Sequence, residues 1–136
     1  MTAFPRTTIP LFAYGNLRPG MPLWPHVAPH VATIHPATLR GRLYWHEAGT
    51  YPVLIADARA GVVQGEILEL PPHPDVSSLL VGEELLFGYD ARWVQATLSA
   101  TGRLRDVLVM VWARRDGLGP MIASGDYLDE AVCPPA

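Results

Sequence analysis

Two stretches of the sequence hold residue types that do chemistry together. In the first, Tyr14-Gly15-Asn16-Leu17-Arg18-Pro19-Gly20 directly follows a short apolar run. Glycines at a strand end let backbone N–H groups converge on an anionic group without side-chain interference. Such a nest can hold a carboxylate or a developing oxyanion; the same residues also read as an ordinary turn. The second is Glu83-Glu84 inside the leucine-rich LLVGEELLFGY. Adjacent glutamates on a helix point about 100° apart, so at most one faces the interior shared with the flanking leucines. A glutamate pressed into apolar surroundings has its charged form penalised and its pKa raised, which suits proton transfer near neutral pH. The plainer arrangement leaves both in water, with Arg92 within reach as a partner.

Other reactive residues are scattered. His26 and His30 have the i, i+4 spacing of a zinc pair, but Pro29 lies between them and no HExxH glutamate follows, so no metal site is expected. Ser124 sits in SGD without a GxSxG elbow, and Cys133 is near the C-terminus, a poor place for a nucleophile. All ten basic residues are arginine. With no lysine, Schiff-base chemistry, a phosphate-loop lysine and a lysine general base are excluded. Richness in Ala, Arg, Gly, Pro and Val suits a GC-rich coding bias.

The elements that must position these residues are short, because Pro and Gly punctuate the chain throughout. Ile9–Tyr14 reads as a buried strand, and Leu23–Val31 as a helical turn or two limited by Pro25 and Pro29. Thr33–Trp45 alternates, with Leu39, Gly41, Leu43 and Trp45 on one face, as a strand with a candidate bulge at Gly41. Tyr51–Ala56 and Val62–Leu70 are two more strands around a turn at Ala60–Gly61. After Pro71-Pro72, Asp75 is placed to cap a helix from about Val76 to Leu85. Arg92–Leu98 and Arg105–Ala113 form a hairpin about Thr101–Gly102, and the tail from Arg114 holds loops and a short terminal segment. Six strands and one or two short helices, not strictly alternating, predict an α+β or small barrel-like fold.

A chain of 136 residues is one domain in size, so residues 1–136 read as a single domain. With 49% apolar and 17% charged residues it is too hydrophobic to be disordered. A net charge of −3 argues against nucleic acid or an anionic membrane as partner. One cysteine allows no intramolecular disulfide, no stretch has a signal peptide's apolar core, and no apolar run approaches a membrane span. A soluble cytoplasmic protein is expected.

In order and spacing, the motifs resemble the gamma-glutamylcyclotransferase-like family, also called avirulence-induced-gene-like, from about Leu11 to Tyr127. LFAYGNLRPG is similar to the family's YGSLxxG loop, GRLYWHEAGTYPVLI to its G-x-LY…YP strand pair, and VVQGEILEL to its V-x-GE strand. EELLFGYDARWVQATL resembles its helix-end glutamate followed by Tyr, Arg and a strand, and SGDY its terminal SGD plus aromatic.

The resemblance implies a small mixed β-barrel with flanking short helices, and an intramolecular reaction. The α-amine of a γ-glutamyl compound attacks its own γ-carbonyl, releasing 5-oxoproline and an amine, with no cofactor or metal. It implies Glu84, five residues before Tyr89, as the proton carrier, with Glu83 in reserve. Tyr14, Gly15, Asn16, Leu17, Tyr89 and Tyr127 would contact the substrate. Asn16 stands where the family commonly has Ser, and Val81 where an Asp often precedes the glutamate by three residues. The implied partner is a small γ-glutamyl molecule, bound by a monomer or homodimer. The alternative is a non-catalytic binding or scaffold protein that keeps the cavity.

Overall fold

The computed structural model describes residues 8–47, 51–57, 59, 61–112 and 116–131, and the side chains of all of these except 83–87, 130 and 131. Their elements are β1 (Ile9–Ala13), α1 (Trp24–Val27), a 3-10 turn (Ala28–His30), β2 (Thr33–His46), β3 (Pro52–Ala56), β4 (Val62–Leu70), α2 (Pro74–Phe87), β5 (Asp90–Leu98), β6 (Leu104–Val111), β7 (Leu118–Met121) and α3 (Tyr127–Ala131).

Five strands close on themselves. β1 pairs antiparallel with β4, β4 with β2, β2 with β5 and β5 with β6; β6 then returns to β1 in parallel at Leu11↔Leu108. The result is a closed mixed β-barrel with few short helices, the fold class expected from the motifs. Closure leaves the ring without an unpaired edge. β2 is long enough to serve two neighbours. Its first half, Thr33–Arg40, pairs with β4, and Gly41–Trp45 pairs with β3, while β7 joins at Tyr44 and His46. β4 and β3 therefore meet β2 one after the other along its length.

The alternation read in β2 holds as far as Leu43: Leu39, Gly41 and Leu43 are buried while Arg40 and Arg42 are exposed. Tyr44 and Trp45 are both half-buried, where β3 and β7 flank the strand. Pairing runs regularly through Gly41, and the irregularity falls instead between Tyr44 and His46. Gly41 is small for another reason, since a Cβ there would sit 2.7 Å from the Ile55 carbonyl oxygen. The core is mainly aliphatic around one large ring, with Phe12, Leu11, Leu43, Leu54, Ile67, Leu68 and Leu70 among the largest fully buried side chains of the described residues.

The 23–31 stretch makes two short helical turns, as read, and Pro25 and Pro29 each stand in the first turn of one of them, where a missing N–H costs nothing. Two other local readings need correction. The main helix begins earlier, with Pro74 as its first residue. Its cap is His73, whose Nδ1 accepts the Asp75 N–H at 3.0 Å, in the role expected of the Asp75 side chain. The tail also contributes a seventh strand, β7, and the helix α3.

Candidate functional site

β1 ends at Ala13 and delivers Tyr14 to a chain reversal built from two turns. The Arg18 N–H donates to the Gly15 carbonyl at 3.0 Å, and the Met21 N–H to the Arg18 carbonyl at 3.0 Å. The Leu23 N–H then closes the loop on the Asn16 carbonyl at 2.9 Å. Gly15 is required here by space: a Cβ would lie 2.5 Å from the Pro52 ring.

The loop is pinned from below by a buried cation. The Arg18 guanidinium grips Glu66 of β4 with two parallel bonds of 2.8 Å, and donates to Asp126 Oδ1 at 2.7 Å. Fork-to-fork pairing of this kind fixes geometry as well as charge. Burial works against the Arg18 cation, but the hydrogen bonds and charges of Glu66 and Asp126 outweigh it and raise its pKa above the ordinary arginine value. Asp126 also accepts the Leu128 N–H at 3.0 Å, so one carboxylate caps α3 and holds the loop. Three sequence motifs, the YG loop, the GE strand and the SGD segment, thus meet at a single ionic knot. Nothing in their separate letters marks these polar residues as partners.

Above the knot is a cavity of about 540 Å³. Tyr14, Gly15, Asn16, Leu17, Tyr89 and Tyr127, the six contact positions implied by the motifs, all line it. Sequence reasoning missed Leu11, Phe12, Met21, Pro22, Leu23, Tyr51, Pro52 and Met110, which complete the lining. For Tyr51 and Pro52 the YP pair was the available signal. No charged side chain lines the cavity among the described residues.

The tyrosines are held in place. Tyr14 donates its hydroxyl to the Met110 carbonyl at 2.5 Å, and Tyr89 donates to the Pro52 carbonyl at 2.5 Å. Tyr127 meets Trp45 edge to face with ring centres 5.3 Å apart, and burial pushes its phenol above the ordinary tyrosine value. Tyr51 packs on His46 at 4.6 Å and near Tyr89 at 6.1 Å, and Trp112 meets both His46 and Tyr89 edge to face. One side of the cavity is therefore stiff and aromatic.

Glu83 and Glu84 lie in the last turns of α2, but their side chains fall outside the described residues. Just past the helix, Gly88 takes φ 80°, which turns the chain away, and the next residue is Tyr89 on the cavity wall. Val81 is exposed. Ser124 is exposed and accepts the Asp126 N–H at 3.2 Å, the bond of a local turn. Cys133 lies outside the described residues. Among the described residues one group of three metal-ligating side chains occurs, His30, His73 and Asp75, and none of them lines the cavity. No helix among them is long and apolar enough to cross a membrane.

Comparisons with known proteins agree with this architecture. An uncharacterised protein from Pyrococcus horikoshii is 19% identical, with 91% of this chain and 93% of that one covered and a TM-score of 0.63. An AIG2-like protein from Mus musculus is 19% identical over 83% of this chain and 85% of that one, with a TM-score of 0.69. YkqA from Bacillus subtilis is 22% identical over 90% of this chain, with a TM-score of 0.69, but the match spans only 40% of that longer protein. At such identities these structures speak for the fold alone. A search of curated protein sequences finds no match. The family model "Gamma-glutamyl cyclotransferase, AIG2-like" matches residues 11–129, which takes in β1, the cavity loop, α2 and the SGD segment. The chain belongs to the gamma-glutamyl cyclotransferase, AIG2-like family.

Proposed function

We propose that the protein is a γ-glutamyl cyclotransferase, acting on a small γ-glutamyl amide and releasing 5-oxoproline. The observation that carries this reading is the convergence of the Tyr14–Leu17 loop, Tyr89 and Tyr127 on one cavity, in a chain of this family. In the reaction, Glu84 takes a proton from the substrate's α-ammonium. The freed amine attacks the γ-carbonyl, the lactam C–N bond forms, and the bond to the leaving amine breaks. Glu84 returns that proton to the departing nitrogen; the ring nitrogen sheds its second proton as the lactam forms, and the released amine takes it up as an ammonium, so Glu84 ends as it began. Backbone N–H groups of the Gly15–Leu17 turn hold the α-carboxylate or the developing oxyanion. The substrate brings both reacting groups in one molecule, so the cavity's task is to fold it into the attacking conformation, and stiff aromatic walls suit that task.

The apolar lining favours a leaving amine with an apolar or aromatic body, because a second carboxylate or ammonium would lose its hydration there without a partner among the described residues. A panel of γ-glutamyl amines and dipeptides, scored by 5-oxoproline release, tests the reading. Glu84→Gln, a neutral near-isostere, should lower turnover at least 100-fold, in the range a general base contributes, with an unchanged thermal midpoint. Release from no member of the panel, or equal rates for wild type and Glu84→Gln, would overturn the assignment. A cavity that binds such compounds without turnover would make the protein a binding module instead.

A further inference from the structure

We propose that His30, His73 and Asp75 form a binding site for a borderline divalent transition metal, with Zn²⁺ as its representative. The three come from different parts of the chain: His30 ends the 3-10 turn before β2, while His73 and Asp75 lie at the start of α2. Their ligand atoms all lie within 4.8 Å of one another. His30 Nε2 is 3.5 Å from Asp75 Oδ2, and His73 Nδ1 is 3.8 Å from the same oxygen. Zinc bonds of about 2.0–2.1 Å in a tetrahedral arrangement set neighbouring ligand atoms roughly 3.3 Å apart, so small side-chain rotations that draw the three ligand atoms inward complete the site.

The arrangement is partly preorganised. The two imidazoles lie against each other with centres 4.3 Å apart and planes tilted 33°, which holds His30 against His73 across the gap between the two segments. The His30 side chain is mostly buried, at 19% exposure, whereas Asp75 is 71% exposed, leaving a solvent-facing position for a water ligand. The Asp75 carboxylate supplies the negative charge that a cation needs beside the positive end of a helix. Two imidazoles and one carboxylate select zinc, cobalt, nickel or copper over magnesium and calcium, which prefer oxygen alone. The ion takes the lone pair of His73 Nδ1 that now accepts the Asp75 N–H, so the helix cap opens as the site fills. The i, i+4 pair His26 and His30 does not supply this site; His26 is exposed on α1 and is absent from the cluster.

Calorimetric titration of the metal-free protein with Zn²⁺ tests the proposal, with Co²⁺ absorption as a second readout of ligand geometry and Mg²⁺ as a control. The expected result is one Zn²⁺ per chain, visible Co²⁺ bands of a low-coordinate site, and no response to Mg²⁺. His30→Ala and His73→Asn should each weaken Zn²⁺ at least tenfold. Asparagine is a good helix cap, so His73→Asn removes the ligand while keeping the start of α2 intact. Absence of stoichiometric Zn²⁺ binding in the wild type, or an affinity unchanged in both folded variants, would overturn the proposal, since the remaining surface histidines would then account for any uptake.

Discussion

The residue that most shapes the cavity loop is one that does not itself line the cavity. Arg18 is buried at 4% exposure and carries a charge that two carboxylates neutralise. Replacing it by Met would keep much of its length and leave Glu66 and Asp126 facing each other without their cation. Breaking a buried pair by removing one partner costs about 3–5 kcal/mol. Arg18→Met should therefore lower unfolding free energy by roughly 3 kcal/mol in urea titrations, with the loop above the knot losing its anchor. None of this is legible in local sequence. Arg18 lies 48 residues from Glu66 and 108 from Asp126; the β1–β4 pairing sets Ala13 opposite Glu66, and the Gly125 carbonyl accepting the Gln64 N–H brings Asp126 to the same place. Gly15, Tyr14 and Tyr127, by contrast, are legible because each belongs to a compact motif whose letters sit side by side.

At the scale of elements, period-two alternation locates β2 well, because Leu39, Gly41 and Leu43 face the core while Arg40 and Arg42 turn away. β4 and β6 instead end in runs of buried residues and are legible as short apolar runs bounded by turn residues. Helices are harder. Sequence signals place the start of α2 two residues late because a carboxylate is the usual cap, whereas here an imidazole nitrogen takes that part. His73→Ala should therefore destabilise the metal-free protein by about 1 kcal/mol, the ordinary value of a lost cap, and His73→Asn by much less. Thermal melts of the two variants side by side check this. β7 is hidden in the sequence because LGPM is four residues long, half of them exposed, and contains a proline. Its pairing comes from the long second half of β2, which no local pattern announces.

At the scale of the whole molecule, a second ionic contact ties the ring together. Glu69 on β4 accepts from Arg105 on β6 at 2.5 Å and from Thr8, ahead of β1, at 2.7 Å, so one carboxylate links β4, β6 and the lead into β1, the strand that pairs with both. Burial raises the Glu69 pKa, but its bonds to Arg105 and Thr8 and the Arg105 charge outweigh that and lower it below 4.5. With a folded pKa below the unfolded one, unfolding takes up a proton in acid. The contribution is thus full above the unfolded value and lost as pH falls through the folded one. Glu69→Gln should be less stable at neutral pH and show a shallower loss of stability below about pH 4.5 than wild type, read from urea midpoints across pH.

The single parallel contact that shuts the barrel, Leu11 against Leu108, also sets an order of events for the chain. During synthesis, β1 emerges early, finds β4 only once β2 and β3 have been made, and stays open on its other side until β6 appears. For that interval two apolar strand edges face water, the condition in which strands pair with the wrong neighbours. A topology whose first strand waits for one of its last belongs among slow folders, since long loops must close before their contacts repay the lost freedom. The same closure that leaves the finished ring without an edge makes the unfinished one dependent on nearly all of its sequence.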